Sequence, residues 1–448
     1  MRALRREMKS SEPDYIFGAR YLLPASAQTD VIEGGAVAVT GDTISEVDAA
    51  ETLKEKYPAS QFIWEEHGLI MPGLVNTHTH AAMSFLRGLA DDLPLMDWLE
   101  KHVFPIEAKL TEEIVYQSTL LSIAEMIRSG TTSFCDMYLF SKEVAKAVDE
   151  SGIRGWVGEV LYDFPSPCYG ELENGISYVK DLFSEYKDNP LVTITTDPHS
   201  VYTCSPDLLT KLGNLAEDNN SLYVIHLSEN DVEVDTCRQR YGCRPVEHLA
   251  NLGLLNRSTL ASHCVKINSS DMDLMQQHNI NVSHCIESNM KLASGLSPVV
   301  EMKRHGINIS IGTDGSASNN NVDMFSEMSS VAKIHKVRCM DPTVMGAEET
   351  LGAATQGGAK ALSMEKCIGS LEVNKKADFI VLDLDQPHLV PMYSIPSHLT
   401  YVARGSDVIH SFVGGRQLMK NRQLLTIDEQ KLLKTMRRMS DTIVKLRN

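Results

Sequence analysis

His78 and His80 lie two residues apart in the run MPGLVNTHTH, residues 71–80, and are the first pair whose type and spacing could do chemistry. The apolar run at 69–75 reads as one buried strand leading into them. Side chains at i and i+2 leave a strand on the same face. Two imidazoles converging at a strand end can hold one metal ion. An H-x-H alone equally fits two histidines hydrogen-bonded in a core or sitting on a turn, so an ion requires further ligands elsewhere in the chain.

His226 in SLYVIHLSEN and Asp314 in GTDGSASNN are the candidates to complete the set. Asp314 also suits a turn aspartate that caps the following helix. Three imidazoles and one carboxylate suit a single Zn²⁺, with Fe²⁺ as the alternative. Such an ion lowers the pKa of bound water to about 7 and makes hydroxide available at neutral pH. A second metal would want a bridging group, often a lysine on the fourth strand, and LVTITTDPHS has none. Glu229 follows His226 by three residues, placed to act as general acid and base. His263 in TLASHCVKI could polarise the attacking water or stabilise developing charge, and His199 could touch substrate.

These residues need a scaffold that brings distant segments together. After His80, strand-like apolar runs alternate with helical stretches: TTSFCDMY, IRGWVGEVLYD, LVTITTDPHS, SLYVIHLSEN, TLASHCVKI, INVSHCIESN and INISIGTDGS, each followed by a helix. The helix TEEIVYQSTLLSIAEMIRSG opens at Thr111 with acids in its first turn and stops at Gly130, as capping and dipole rules prefer. With the opening strand this makes eight units, the signature of a (β/α)8 TIM-type barrel, an α/β fold whose active site lies at the C-terminal strand ends. His78, His80, Asp136, His199, His226, Glu229, His263, Ser288, Asn289 and Asp314 all fall at those ends.

On both sides of the barrel the texture is β. IFGARYLLPA, EGGAVAVTGDTISEVDA and SQFIWEEHGLI read as short antiparallel strands, and GSLEVNKKADFIVLDLD and DVIHSFVGGRQLMKNRQLL match them. The expected division is 1–70 and 369–426 as the two parts of a small β-sandwich, 71–368 as the barrel, and 427–448 as a packed C-terminal helix.

The 448 residues suffice for a barrel of about 250 residues or more plus a smaller unit. The 42 basic and 59 acidic residues give −17, which argues against nucleic acid and anionic membrane as partners. No apolar run is long enough to cross a bilayer. The leader MRALRREMKSSEPDY has no apolar core, and the nine cysteines form no C-x-x-C pair, so a cytoplasmic protein with reduced thiols is expected.

The chain resembles the amidohydrolase superfamily and, within it, the 5-methylthioadenosine/S-adenosylhomocysteine deaminases. The resemblance spans nearly the whole sequence, and FPIEAKLT, SNMKLASG and GTDGSASNNN are its narrower marks. It implies that His78, His80, His226 and Asp314 hold the metal, and that Glu229, His263 and Asp314 move protons. It further implies that Glu107 binds ribose hydroxyls and that His199 helps hold the nucleoside, with Glu229 and Asp314 also facing the substrate. The implied reaction is hydrolytic deamination of an adenosine-type nucleoside: hydroxide attacks C6, Glu229 protonates N1, and ammonia leaves the inosine analogue. A small-molecule purine nucleoside is thus the expected partner, and a homo-oligomer the expected assembly. The family pattern has an arginine after the third strand, whereas residues 157–175 contain neither Arg nor Lys. That shifts the expectation from S-adenosylhomocysteine toward 5′-methylthioadenosine, 5′-deoxyadenosine or adenosine. HCIESN also departs from the family, and Glu287 is expected as a new charge near the pocket mouth. The rival readings are a guanine, pterin or s-triazine deaminase or chlorohydrolase, and a non-catalytic scaffold.

Overall fold

The structure, a computed structural model, describes residues 12–25, 30–93 and 95–446, so most of the leader, residues 1–11, lies outside the described residues. Eight parallel strands form the centre: β1 (Leu74–Thr79), β2 (Thr131–Tyr138), β3 (Arg154–Leu161), β4 (Val192–Ile194, resuming at Asp197–Pro198), β5 (Tyr223–Leu227), β6 (Thr259–His263), β7 (Asn281–His284) and β8 (Asn308–Ile311). β1 to β4 pair in order, and so do β5 to β8. Parallel bridges Thr196–Tyr223 and Ser200–His226 join the two halves. Past the end of β8, the amide of Asp314 donates to the carbonyl of His78 at 2.9 Å, and Asn76 Nδ2 donates to Thr313 Oγ1 at 2.8 Å. The parallel sheet therefore curls round until its last strand meets its first.

The helices between strands start where the sequence offers a cap. Thr111 Oγ1 accepts from the amide of Ile114 at the head of helix Glu112–Arg128. Ser141–Ser151 stops at Gly152, whose φ of +82° suits a residue without Cβ. Of the helices not anticipated, two bear on the site. Asp231–Tyr241 is mostly charged and polar, and its weak apolar periodicity hid it. Ile286–Lys291 occupies the end of what read as the seventh strand, so Ser288 and Asn289 are helical. The C-terminal helix Glu429–Leu446 lies against Glu112–Arg128, with Arg128 paired to Glu429 at 2.9 Å. No helix among the described residues is long and apolar enough to cross a membrane.

Strands from both chain ends share one nine-stranded sheet. Gln61–Pro72 from the N-terminal part lies beside Phe379–Asp383 from the C-terminal part. Two expectations change here. Tyr15–Leu22 pairs with Gln61–Pro72 in parallel, not antiparallel, because the hairpin Gly35–Thr40/Thr43–Ala49 comes between them in sequence. The apolar run 69–75 is also not one strand. It breaks at Gly73, leaving Gln61–Pro72 in the nine-stranded sheet and β1 in the barrel. A Cβ at Gly73 would run into the side chain of Thr132, so only glycine makes this crossing.

A buried ion pair fastens the two sheets together. Arg154 at the start of β3 donates from Nε to Asp378 Oδ2 at 3.0 Å and from Nη2 to Oδ1 at 3.1 Å. Asp378 also accepts from the amide of Gly414 at 2.6 Å, and both charged residues are almost fully covered. Removing one partner strands the other charge away from water. Asp378→Ala is expected to cost about 3–5 kcal/mol, read as a lowered denaturant midpoint. A loss under about 1 kcal/mol, the value of an exposed pair, would contradict this role.

Candidate functional site

β1 delivers His78 and His80 to the C-terminal end of the barrel, while Thr79 between them turns the other way and donates to Asp136 Oδ1 at 2.7 Å. The amide of Ala81 donates to the same oxygen at 2.5 Å, so Asp136 brackets His80 from both sides. The rings of His80 and His226 are each oriented by a carbonyl from a neighbouring segment. His80 Nδ1 lies 2.5 Å from the carbonyl of Met137, and His226 Nδ1 lies 2.9 Å from that of His199. A carbonyl only accepts, so both Nδ1 atoms carry hydrogen and both Nε2 atoms face inward. These Nε2 atoms are 3.2 Å apart. Two lone pairs at that distance repel unless a proton or a cation lies between them.

Asp314 supplies the negative charge. Its Oδ1 is 3.2 Å from His80 Nε2 and 3.5 Å from His78 Nε2, and its Oδ2 is 4.0 Å from His263 Nε2. Ser288 and Ser318 donate to Oδ2 at 2.6 and 3.0 Å, and the amide of Gly315 to Oδ1 at 2.8 Å. Burial pushes the carboxyl up, but the His78 and His80 ring nitrogens close to Oδ1 outweigh it and hold Asp314 well below the usual carboxylate range. His78 is fully covered, and neither ring nitrogen has a hydrogen-bond partner. Burial brings it down to about 4, so it stays neutral and offers lone-pair density. One ligand atom each from His78, His80 and Asp314 lies within 4.8 Å of the others, as do those of His78, His226 and His263. A divalent cation answers the facing Nε2 atoms, the unpartnered ring and the carboxylate together, so the donor set fits one.

Around this centre, His263 ends β6 with φ of +70° and has Nδ1 2.9 Å from Asn289 Oδ1. Glu229 lies just beyond β5, accepts from Ser294 Oγ at 3.1 Å, and is raised by burial. Glu107 ends the short helix Phe104–Glu107 and accepts from Tyr138 at 2.8 Å, again with its pKa raised by burial. His199 lies 2.8 Å from Thr203 Oγ1, and burial, then the charges of His80 and His78, lower it to about 3. All the expected site residues thus meet at one end of the barrel, and every one but His78 lines the same pocket. That pocket holds about 740 Å³, mouth included.

Some of the site was not foreseen. Ser318 and Ser294 hold Asp314 and Glu229, and only the density of Ser in SNMKLASG and GTDGSASNNN hinted at them, while Asn289, already placed at a strand end by the sequence, holds His263. An aromatic wall faces the metal-side groups: Tyr162 stacks on Phe164 at 3.8 Å, and Phe104 lies 6.4 Å from Phe164. Glu287 turns away from the pocket and accepts from Ser326, Ser330 and Asn321, so the expected charge at the mouth is not there.

Residues 69–418 match the Amidohydrolase family. The chain belongs to that family. It is 48% identical over 436 residues to a protein of Syntrophobacter fumaroxidans named 5-methylthioadenosine/S-adenosylhomocysteine deaminase, covering 97% of this chain and 100% of that one. A 5′-deoxyadenosine deaminase of Methanosarcina barkeri is 41% identical over 433 residues, 96% of this chain and 98% of the relative. Among solved structures, an adenosine deaminase from Xanthomonas campestris with bound zinc superposes with a TM-score of 0.95 at 36% identity, covering 97% and 99% of the two chains. The amidohydrolase fold is a TIM-type barrel, in agreement with the closed ring of β1–β8.

In this amidohydrolase, burial opposes a proton on His80. The hydrogen bond and charge of Asp314, with the Met137 carbonyl and Asp136, outweigh it and push His80 up to about 9. Without an ion, His80 therefore holds a proton at neutral pH, and a cation using its lone pair must displace it. Below the raised pKa one proton leaves per ion bound, so affinity is expected to climb roughly tenfold per pH unit from pH 7 and level off near 9. Chelator competition at several pH values measures this, and a flat affinity would contradict it.

Proposed function

We propose that this chain is a metal-dependent hydrolase that deaminates adenosine-type nucleosides to the inosine analogue and ammonia. The observation that carries the reading is the meeting of His78, His80, His226 and Asp314 with a buried carboxyl, Glu229, at the floor of one pocket walled by aromatic rings. The names of the Syntrophobacter, Methanosarcina and Xanthomonas relatives agree on this reaction class.

In this reading His78, His80, His226 and Asp314 hold one divalent ion, which supplies Lewis-acid activation of water. Zn²⁺ suits three imidazoles and one carboxylate, and the Xanthomonas relative has zinc bound. Fe²⁺ takes the same donors and is the alternative. Glu229, its pKa raised by burial, keeps a proton available and delivers it to ring N1 as water adds to C6. His263 and Asp314 face the attacking oxygen and take up its proton. Of the water's two protons, one passes to the exocyclic nitrogen, which leaves as ammonia, and the other restores Glu229. Glu107 accepts from the ribose hydroxyls with Tyr138 fixing its orientation, and neutral His199 donates to or accepts from the nucleoside.

The described residues lining the pocket include no Lys or Arg, while Trp98, Phe104, Tyr162 and Phe164 line it. This favours small or apolar 5′ groups over the charged tail of S-adenosylhomocysteine. For the rest of the molecule, the ring of Phe17 packs on Phe379 and Phe412, whose two neighbouring strands are set off from its own by Gln61–Pro72. That packing supports a sheet folded over as a small sandwich, with domain limits at 1–70, 71–368, 369–426 and 427–448. Nine free cysteines suit a reducing cytoplasm, the acidic balance suits a protein that avoids nucleic acid and anionic membranes, and a homo-oligomer is the proposed assembly.

The test follows the fall in adenine absorbance with adenosine, 5′-deoxyadenosine, 5′-methylthioadenosine and S-adenosylhomocysteine, for the wild type and Glu229→Gln. The variant is expected to keep its metal and lose about 10²–10⁴ in kcat. Near-normal kcat removes Glu229 from its role, and a wild type inert on all four nucleosides removes the reading.

A further inference from the structure

Glu229 is only as well placed as the turn that carries it, and that turn is unusual. β5 ends at Leu227, and Ser228 follows with φ of +53°, left-handed backbone that a residue with a Cβ seldom adopts. Two carbonyls of this stretch are used by the chain just past β6: Cys264 N donates to Leu227 O at 3.1 Å and Lys266 N to Ser228 O at 2.8 Å. The amides of Ser228 and Glu229 have no strand to pair with. Both are taken by one side chain. Glu233 Oε1 accepts from Ser228 N at 2.7 Å, and Oε2 accepts from Glu229 N at 2.8 Å.

Glu233 is itself held in place. It lies in the first turn of helix Asp231–Tyr241, where Asn230 caps the helix by accepting from the Glu233 amide at 2.9 Å. Glu233 is 2% exposed, so water does not compete for those amides. The chain thus forms a closed loop of hydrogen bonds from Ser228 to Glu233 and back, with Glu229 inside it. Only a group with two acceptors and no donor can complete this loop, and a carboxylate is that group.

We propose that Glu233 is a positioning residue for the reaction: its two oxygens lock the left-handed turn at Ser228 and so aim the Glu229 carboxyl at the pocket. This rests on the reading of Glu229 as the acid–base group. Glu233 does not line the pocket, so it acts through Glu229 alone. Glu233→Gln keeps the shape and one acceptor but points an NH₂ group at the second amide. The turn then relaxes, and a shift of Glu229 on the order of 1 Å costs about 100-fold in kcat.

A double-mutant cycle tests this, using metal-loaded protein and the best nucleoside of the panel. Glu233→Gln is expected to lower kcat about 100-fold, with KM and metal content close to wild type. It should also speed hydrogen exchange at the Ser228 and Glu229 amides. In a Glu229→Gln background the same change should cost less than about threefold, since the group it positions is already lost. A Glu233→Gln variant that melts earlier but keeps wild-type kcat overturns the proposal, and so does a full, independent loss in the double variant. If Glu229→Gln alone keeps its turnover, the acid–base reading fails instead, which separates the two failures. Should Glu233→Gln not give folded protein, Glu233→Asp, too short to span both amides, enters the same cycle: a kcat loss that vanishes in the Glu229→Gln background supports the proposal, and wild-type kcat or an independent loss overturns it.

Discussion

Asp314 keeps a full negative charge at a position only 5% exposed, and the barrel end is built to make that tolerable. A buried carboxylate without partners would neutralise itself. Here two serine hydroxyls and a backbone amide donate to it, and His78 and His80 bring their Nε2 atoms within 3.5 Å. The partners come from β1, from the helix after β7 and from the turn after β8. The closure of the barrel and the ionisation of this one side chain therefore depend on each other.

The same logic fixes the rings. A histidine can present either nitrogen, and the choice here is made by carbonyls on adjacent strands, Met137 on β2 and His199 after β4. A slip of one residue in the pairing of β1 with β2 would reverse which residues face inward. The break at Gly73 fixes where β1 begins, and the polar bonds between Asn76 and Thr313 hold its middle against the chain after β8. The nine-stranded sheet matters to the site in this way: it holds the chain up to Pro72 and, through Asp378, the start of β3.

Much of this was legible in the residues. The strand–helix rhythm gave the barrel because alternate burial and caps such as Thr111 are local properties. His78, His80, His226 and Asp314 stood out because each ends an apolar strand with a metal-ligating group. What stayed hidden is non-local or chemically ordinary. The parallel pairing of Tyr15–Leu22 with Gln61–Pro72 depends on a hairpin inserted between them, which no window of sequence records. The run at 69–75 is apolar throughout because both sheets bury it, so its break at Gly73 leaves no trace in hydropathy. Helix Asp231–Tyr241 lacks an apolar stripe, and Ser318, which serves Asp314, looks like any loop serine. Glu287 looked like a pocket charge because its hydroxyl partners lie some 40 residues further on.

The most direct measurement is anomalous X-ray diffraction from crystals of the native protein, recorded on both sides of the zinc and iron absorption edges. One peak per chain is predicted, within coordination distance of the Nε2 atoms of His78, His80 and His226 and of Asp314 Oδ1. No peak there, or a metal held by other residues while these four stay hydrogen-bonded to one another, would contradict the account.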